Sequence, residues 1–168
     1  SPVEAVGLSC EHGYNVVEMD DGDYVVARCV LIATGGSYRR LDVENCNRFE
    51  GAGVYYSATS VEAQMCHEQT VVVIGAGNSA GQAAVFLSQH AREVLLVVRN
   101  DDLYEDMSRY LARRIEETEN ISTHLQSEVV GMSGEEALEQ VTIRNNESGE
   151  ELKVETQATF IFIGVEPH

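Results

Sequence analysis

Positive charge is scarce in this chain: 168 residues carry one lysine, Lys153, and ten arginines against 28 acidic residues, for a net charge of −17. A phosphate backbone or an anionic bilayer would be repelled over most of such a surface, so neither nucleic acid nor a membrane is an expected partner. The shortage of lysine fits a salt-loving source and, equally, a plain self-repelling soluble surface. No apolar run reaches the length of a membrane span, and no signal or transit pattern opens the sequence, so the expected setting is cytoplasmic. Metal-ligand spacing is missing too. Cys10, Cys29, Cys46 and Cys66 are scattered, without a C-x-x-C pair or histidines at ligand distance. Each is expected to be a reduced, buried, apolar residue. Cys66 is the one with a second reading, because the adjacent His67 could lower its pKa.

What is present is a nucleotide signature. Val71-Val72-Val73-Ile74 reads as a buried strand, Gly75-Ala76-Gly77-Asn78-Ser79-Ala80 as a glycine turn, and Ala80, Ala83, Ala84 and Leu87 as one face of the helix that follows. Gly75 permits the tight turn, Gly77 lets a pyrophosphate approach the backbone, and Ala80 lets the helix sit close to the strand. A bare G-x-G-x-x-A also joins strands to helices without any ligand; the correct elements on both sides make the dinucleotide reading the stronger one here. Glu93 to Val98 forms the next predicted strand, and its end is where a cofactor ribose is read. Aspartate or glutamate there would favour NADH. Val98 is followed instead by Arg99, which offers a guanidinium to a 2′-phosphate and favours NADPH, although Asp101 and Asp102 lie close behind.

Along the chain, Val3–Leu8, Tyr14–Met19, Tyr24–Arg28 and Cys29–Ala33 are predicted strands, separated by turn signals at His12-Gly13 and Asp20-Asp21-Gly22. Gly51 to Gln69 is a connecting segment. After the second strand of the nucleotide unit, a helix is expected over Tyr104–Thr118 with Met107, Tyr110, Leu111 and Ile115 inward and Arg109, Arg113, Arg114, Glu116 and Glu117 outward, ended by Asn120. A short strand at Ile121–Leu125 follows, then a meander of Glu128–Met132, Leu138–Arg144 and Leu152–Thr156 with its turn at residues 145–149, and a last apolar strand at Thr159–Ile163. These elements predict an α/β fold, a Rossmann-like three-layer dinucleotide-binding domain with a small antiparallel β-meander. His67, His90 and His124 have no visible catalytic partner and are expected to be surface or satisfied core residues.

Two further segments carry a family resemblance. Val30-Leu31-Ile32-Ala33-Thr34-Gly35 resembles the strand leading out of the FAD domain in flavoproteins with two dinucleotide domains, and Phe160 to Pro167 resembles the strand leading back. With Gly53-Val54 ahead of Ser57-Ala58-Thr59-Ser60, and then the glycine motif, the order is similar to that of low-molecular-weight thioredoxin reductases. The resemblance implies an NADPH-binding domain at 53–160, a partial FAD-binding segment with flanking strands at 1–52, and a return to the FAD domain at 161–168. It implies NADPH bound by Gly75, Ala76, Gly77, Asn78, Ser79 and Ala80 at the pyrophosphate, by Val98, Arg99 and Asn100 at the ribose, and by Ile163 and Gly164 at the adenosine side. Thr34 and Gly35 would face FAD carried by the rest of a homodimeric parent. Hydride would pass from NADPH to FAD, and the excised chain would be inactive alone.

The departure from the family is chemical. Ser57 and Ser60 stand where its redox cysteines would be, and a hydroxyl forms no disulfide, so no catalytic residue is assigned. Electrons would leave through a thiol pair elsewhere or go to an unidentified acceptor protein, such as an iron–sulfur or flavin protein of the ferredoxin or flavodoxin kind; Cys66 with a distant partner is a weaker option. A redox-silent NADPH sensor is the competing reading from another class. Asn100 and Tyr104 fall where further phosphate-binding arginines would stand, leaving Arg109, Arg113 or Arg114 as possible substitutes.

Overall fold

A computed structural model describes residues 3–168, which form two compact units. The smaller runs up to Gly36 and takes in Pro167–His168; the larger is Ser37–Glu166. These divisions differ from boundaries drawn at 52 and 160, because Leu41, Cys46 and Phe49 are buried in the core of the larger unit. The chain crosses between units within two three-residue strands, β4 (Gly36–Tyr38) and β13 (Val165–Pro167).

The smaller unit is an antiparallel sheet of β1 (Ala5–Glu11), β2 (Tyr14–Met19) and β3 (Tyr24–Ala27). Leu8 opposes Val17 and Val16 opposes Val26, with tight turns between the strands. The first strand therefore starts later than predicted. Cys29–Ala33 is not a strand: among the described residues no neighbour ladders with it, and Leu31 is 90% exposed. An extended apolar run becomes a strand only when another strand satisfies its N–H and C=O groups. The same lack of a covering layer leaves Cys10 and Cys29 exposed, against the expectation of burial.

The larger unit is built on a parallel sheet in the order β5 (Val54–Tyr55), β12 (Thr159–Ile161), β6 (Thr70–Ile74), β7 (Glu93–Val97), β8 (Ile121–His124). Its central strands are apolar without a break over residues 71–74 and 94–97 because both faces are covered. Alternation decides which side chain goes where. Val71 and Val73 pack with Leu87, Leu111, Ile115 and Phe160 on the side of α2 (Asn78–Leu87) and α3 (Arg109–Glu116). Val72 and Ile74 pack on the opposite face with Val129, Met132, Val141 and Val154 of the meander β9 (Ser127–Ser133), β10 (Gln140–Asn145) and β11 (Glu151–Glu155). Helices, parallel sheet and meander are the three layers the sequence predicts. Burying each of these Val, Leu or Phe side chains contributes roughly 1.5–3 kcal/mol.

Three local expectations are corrected. The third helix begins at Arg109, not Tyr104: the Tyr104 N–H donates to Asp102 Oδ1 (2.9 Å), closing a turn, and Ser108 is extended. Polar side chains that bond nearby N–H groups compete with the helix in this way. Leu103 and Met107 are buried from that turn, while Tyr110 is 71% exposed instead of inward. Finally, the segment read as a connector contains α1 (Ser60–Met65), started by a capping box in which the Thr59 hydroxyl accepts from the helix backbone and Glu62 accepts from the Thr59 N–H (2.9 Å). That bonding to Thr59 holds the Glu62 carboxyl below its ordinary pKa.

Candidate functional site

A cleft of about 1320 Å³ opens in the larger unit across the C-terminal ends of β12, β6 and β7. Ligands of open parallel sheets bind at that edge. It exceeds the roughly 300–1,000 Å³ of ordinary small-molecule sites.

At its centre lies the glycine turn. Gly75 has φ +144°, and a Cβ there would come within 2.4 Å of the Phe162 carbonyl oxygen and 3.0 Å of Ala80 Cβ. The turn is closed from both sides: Gly75 N–H donates to Val97 O (3.1 Å), and Phe162 N–H donates to Ile74 O (2.8 Å). Gly77 differs in kind. It is the N-cap of α2 with φ −85°, a Cβ on it would meet nothing within 4 Å, and no side chain caps the helix. The uncapped first turn lines the cleft through Gly77, Asn78 and Ser79, with its unpaired N–H groups and positive dipole end available to an anion.

Beyond β7, Arg99 and Asn100 line the cleft together with Glu128 and Arg144 of the meander. Glu128 pairs with Arg144 (2.7 Å) and more loosely with Arg99 (3.8 Å). Asn100 Nδ2 donates to Asp106 Oδ2 (2.8 Å), which also faces the cleft. Toward β12 the lining continues through Phe162, Ile163 and Gly164. Tyr38 and Tyr56 stack at 5.5 Å beside Ser57. The Tyr56 hydroxyl donates to Glu50 (2.7 Å), which Arg40 also engages (3.0 Å), and burial plus that bond push the phenol above its ordinary pKa.

Of the predicted site residues, Gly75, Ala76, Gly77, Asn78, Ser79, Arg99, Asn100, Ile163 and Gly164 come together on the cleft. Ala80 and Val98 are fully buried behind it; Val98 receives Ser127 N–H and gives its own N–H to His124 O. The Asn78 side chain turns away to accept from Ser108 N–H (2.8 Å), which locks the start of α2 to the start of α3. Thr34 and Gly35 belong to the smaller unit, where the Thr34 hydroxyl donates to His168 O (2.9 Å). Ser57 lines the cleft, whereas Ser60 begins α1 and does not. Arg109, Arg113 and Arg114 are exposed on α3 and none of them lines the cleft, and the Tyr104 hydroxyl is committed to Glu116 (2.7 Å). Cys66 is the opposite of a reactive thiol. It is wholly buried, its Sγ donates to Glu62 O (3.1 Å), and burial pushes its pKa up to about 11, overriding any effect of exposed His67. Burial likewise lowers the pKa of His124, whose carbonyl serves the sheet, and His90 packs on Phe86. Sequence reasoning missed Glu128 and Arg144, whose only signal is that the hairpin register makes them direct partners.

Known proteins resemble the chain in sequence and in fold. The pyridine nucleotide-disulphide oxidoreductase family matches residues 4–168. A thioredoxin reductase of Streptomyces coelicolor is 33% identical over 98% of the chain and 50% of its own length, and a "34.2 kDa protein in rubredoxin operon" of Clostridium pasteurianum is 28% identical over 99% and 52%. Among solved structures, the thioredoxin reductase of T. acidophilum superposes with TM-score 0.76 at 25% identity, covering 97% of the chain and 52% of its own. That of Giardia duodenalis reaches 0.83 at 22% identity, over 98% and 53%, and shows the fold alone. The chain thus spans about half the length of the relatives it matches. With the family matched over residues 4–168, the chain belongs to the pyridine nucleotide-disulphide oxidoreductases and has the thioredoxin reductase-like, nucleotide-binding Rossmann-type fold.

Proposed function

We propose that the larger unit binds NADPH for an FAD-dependent oxidoreductase of the thioredoxin reductase type, and that the smaller unit, with Thr34 and Gly35, belongs to the flavin-binding part. The observation that carries this reading is the uncapped N-terminus of α2, preceded by Gly75 and Gly77 and opening on a cleft that extends to Arg99. Open space above Gly77 fits a pyrophosphate held by backbone N–H groups. When bound, NADPH supplies a hydride and FAD accepts it. The chain's own part is positional. Gly75 to Ser79 hold the pyrophosphate, Ala80 and Val98 support the turn from behind, Arg99 and Asn100 meet the ribose phosphate, and Ile163 and Gly164 line the adenosine side.

Hydride transfer requires no general acid or base from these residues. Ser57 on the cleft wall and buried Cys66 offer no dithiol, so this reading sends electrons to an acceptor other than a disulfide formed in this segment. Calorimetric titration of the chain with NADPH and NADH, beside Arg99→Ala, tests the assignment. NADPH is expected to bind at least tenfold more tightly, with most of that margin lost in the variant, on the scale of one charge-assisted contact. Equal affinity for both nucleotides, or binding of neither, would refute it.

A further inference from the structure

We propose that Arg144, on the meander, is the second guanidinium of the subsite for the cofactor's 2′-phosphate, and that Glu128 is the anion holding it beside Arg99 until the phosphate arrives. The inference rests on the NADPH reading above and adds a residue on a different layer of the fold.

Its basis is the way the meander is tied to the end of β7. Ser127 N–H donates to Val98 O (2.9 Å) and Gln126 N–H to Asn100 O (2.9 Å), so the residues on both sides of Arg99 anchor the first residue of β9 and the one before it. Glu128 follows directly. In the antiparallel register Glu128 opposes Arg144, which brings Arg144 to the same rim. Arg144 Nη2 then donates to Glu128 Oε1 (2.7 Å), while Arg99 Nε lies 3.8 Å from the other carboxylate oxygen. Thus one carboxylate sits between two guanidiniums, and all three line the cleft.

A carboxylate in that position presents two oxygens to two arginine forks, much as a phosphate would with three. Two guanidiniums and one carboxylate leave a single positive charge. A phosphate carrying about −1.5 to −2 charges would displace the carboxylate and be matched by the pair. Of the other anions near Arg99, Asp106 on the cleft is engaged by Asn100, whereas Asp101 and Asp102 do not line the cleft and Asp102 accepts from the Tyr104 N–H. No arginine of α3 reaches this rim, so Arg144 is the cation available besides Arg99 among the residues lining the cleft.

The test is a set of NADPH and NADH dissociation constants for the chain and the variants Arg144→Ala, Arg144→Lys, Glu128→Gln, Arg99→Ala and Arg114→Ala, each first checked for an unchanged thermal transition. Arg144→Ala is expected to weaken NADPH about tenfold and NADH less than twofold, since only one ligand carries the phosphate. Arg144→Lys keeps the charge without the planar fork and should recover part of the loss. Glu128→Gln should tighten NADPH about threefold by removing a competing anion, and Arg114→Ala should change neither constant. An unchanged ratio of the two constants in Arg144→Ala, alongside a collapsed ratio in Arg99→Ala, overturns this inference and leaves the NADPH reading standing. A loss of NADH affinity in Glu128→Gln also overturns it, because the carboxylate would then be reading a ribose hydroxyl. If the unaltered chain binds both nucleotides alike, or neither, both readings fall together.

Discussion

The two ends of the cleft are made differently. At the glycine turn the surface proposed for recognition is backbone: residues 76–79 present N–H groups set by the strand–turn–helix geometry, the Gly75 N–H being spent on Val97 O, and the side chains there are small or directed elsewhere. At the end proposed for the ribose the surface is side chain, with Arg99, Asn100, Glu128 and Arg144 drawn from two layers of the fold. A backbone cradle recognises what every dinucleotide shares, whereas long charged side chains can be exchanged to choose between cofactors without disturbing the core. Only the first kind writes a local motif into the sequence.

The comparison breaks if the turn proves to be ordinary packing, and the largest expected effect tests that. Gly75→Val should destabilise the larger unit by about 3 kcal/mol or more, read as a lower urea midpoint, because the side chain must occupy φ +144° and displace the Phe162 carbonyl. A midpoint equal to the parent's would mean that the turn tolerates ordinary residues and was misread. Somewhat smaller is the effect expected at Cys66, which bears on what both ends lack, since no cysteine lines the cleft among the described residues. With its pKa raised from 9.0 to about 11, its thiolate fraction near pH 8 falls about a hundredfold. Native chain should therefore show Cys10 and Cys29 reacting promptly with a thiol reagent and Cys66 only after denaturation. Linkage has the same sign: the unfolded thiol ionises first, so stability from burying the neutral group is complete below pH 9 and is lost as pH rises toward 11. Prompt labelling of Cys66 in the native state would restore it as a redox candidate.

What could be read from the sequence follows the same division. The apolar run Val71 to Ile74 and the stripe Ala80, Ala83, Ala84, Leu87 are local patterns, and the structure buries them as predicted. The start of α3 was misread because Asp102 and Ser108 shape the backbone there more strongly than the apolar period running through Tyr110. Helix α1 was legible in principle, since Thr59 and Glu62 have capping-box spacing, but a six-residue helix leaves little periodicity to notice. Cys29–Ala33 was misread for the opposite reason: its apolar content predicts a strand, yet strand formation depends on neighbours that the described residues do not contain. Arg144 lies 45 positions from Arg99, and only the hairpin register together with the bond from Ser127 to Val98 brings them to one rim. Sequence spacing alone carries no trace of that.

The smallest change is also the sharpest test of the backbone cradle. Gly77→Ala adds one methyl group at φ −85°, a conformation open to any residue, where the new Cβ meets nothing within 4 Å. Packing gives no reason for glycine here, and the N-cap position favours it over alanine only by the scale of a cap exchange. Stability should therefore stay within about 1 kcal/mol of the parent. If a pyrophosphate fills the open space above the turn, the same methyl meets the ligand and weakens both NADPH and NADH by about tenfold, without favouring either, because the pyrophosphate is common to both. That pattern is the converse of the one expected at the ribose end, where an arginine variant changes the ratio of the two affinities. Unchanged binding of both nucleotides in Gly77→Ala would place the pyrophosphate elsewhere and leave the open space above α2 without a ligand to explain it.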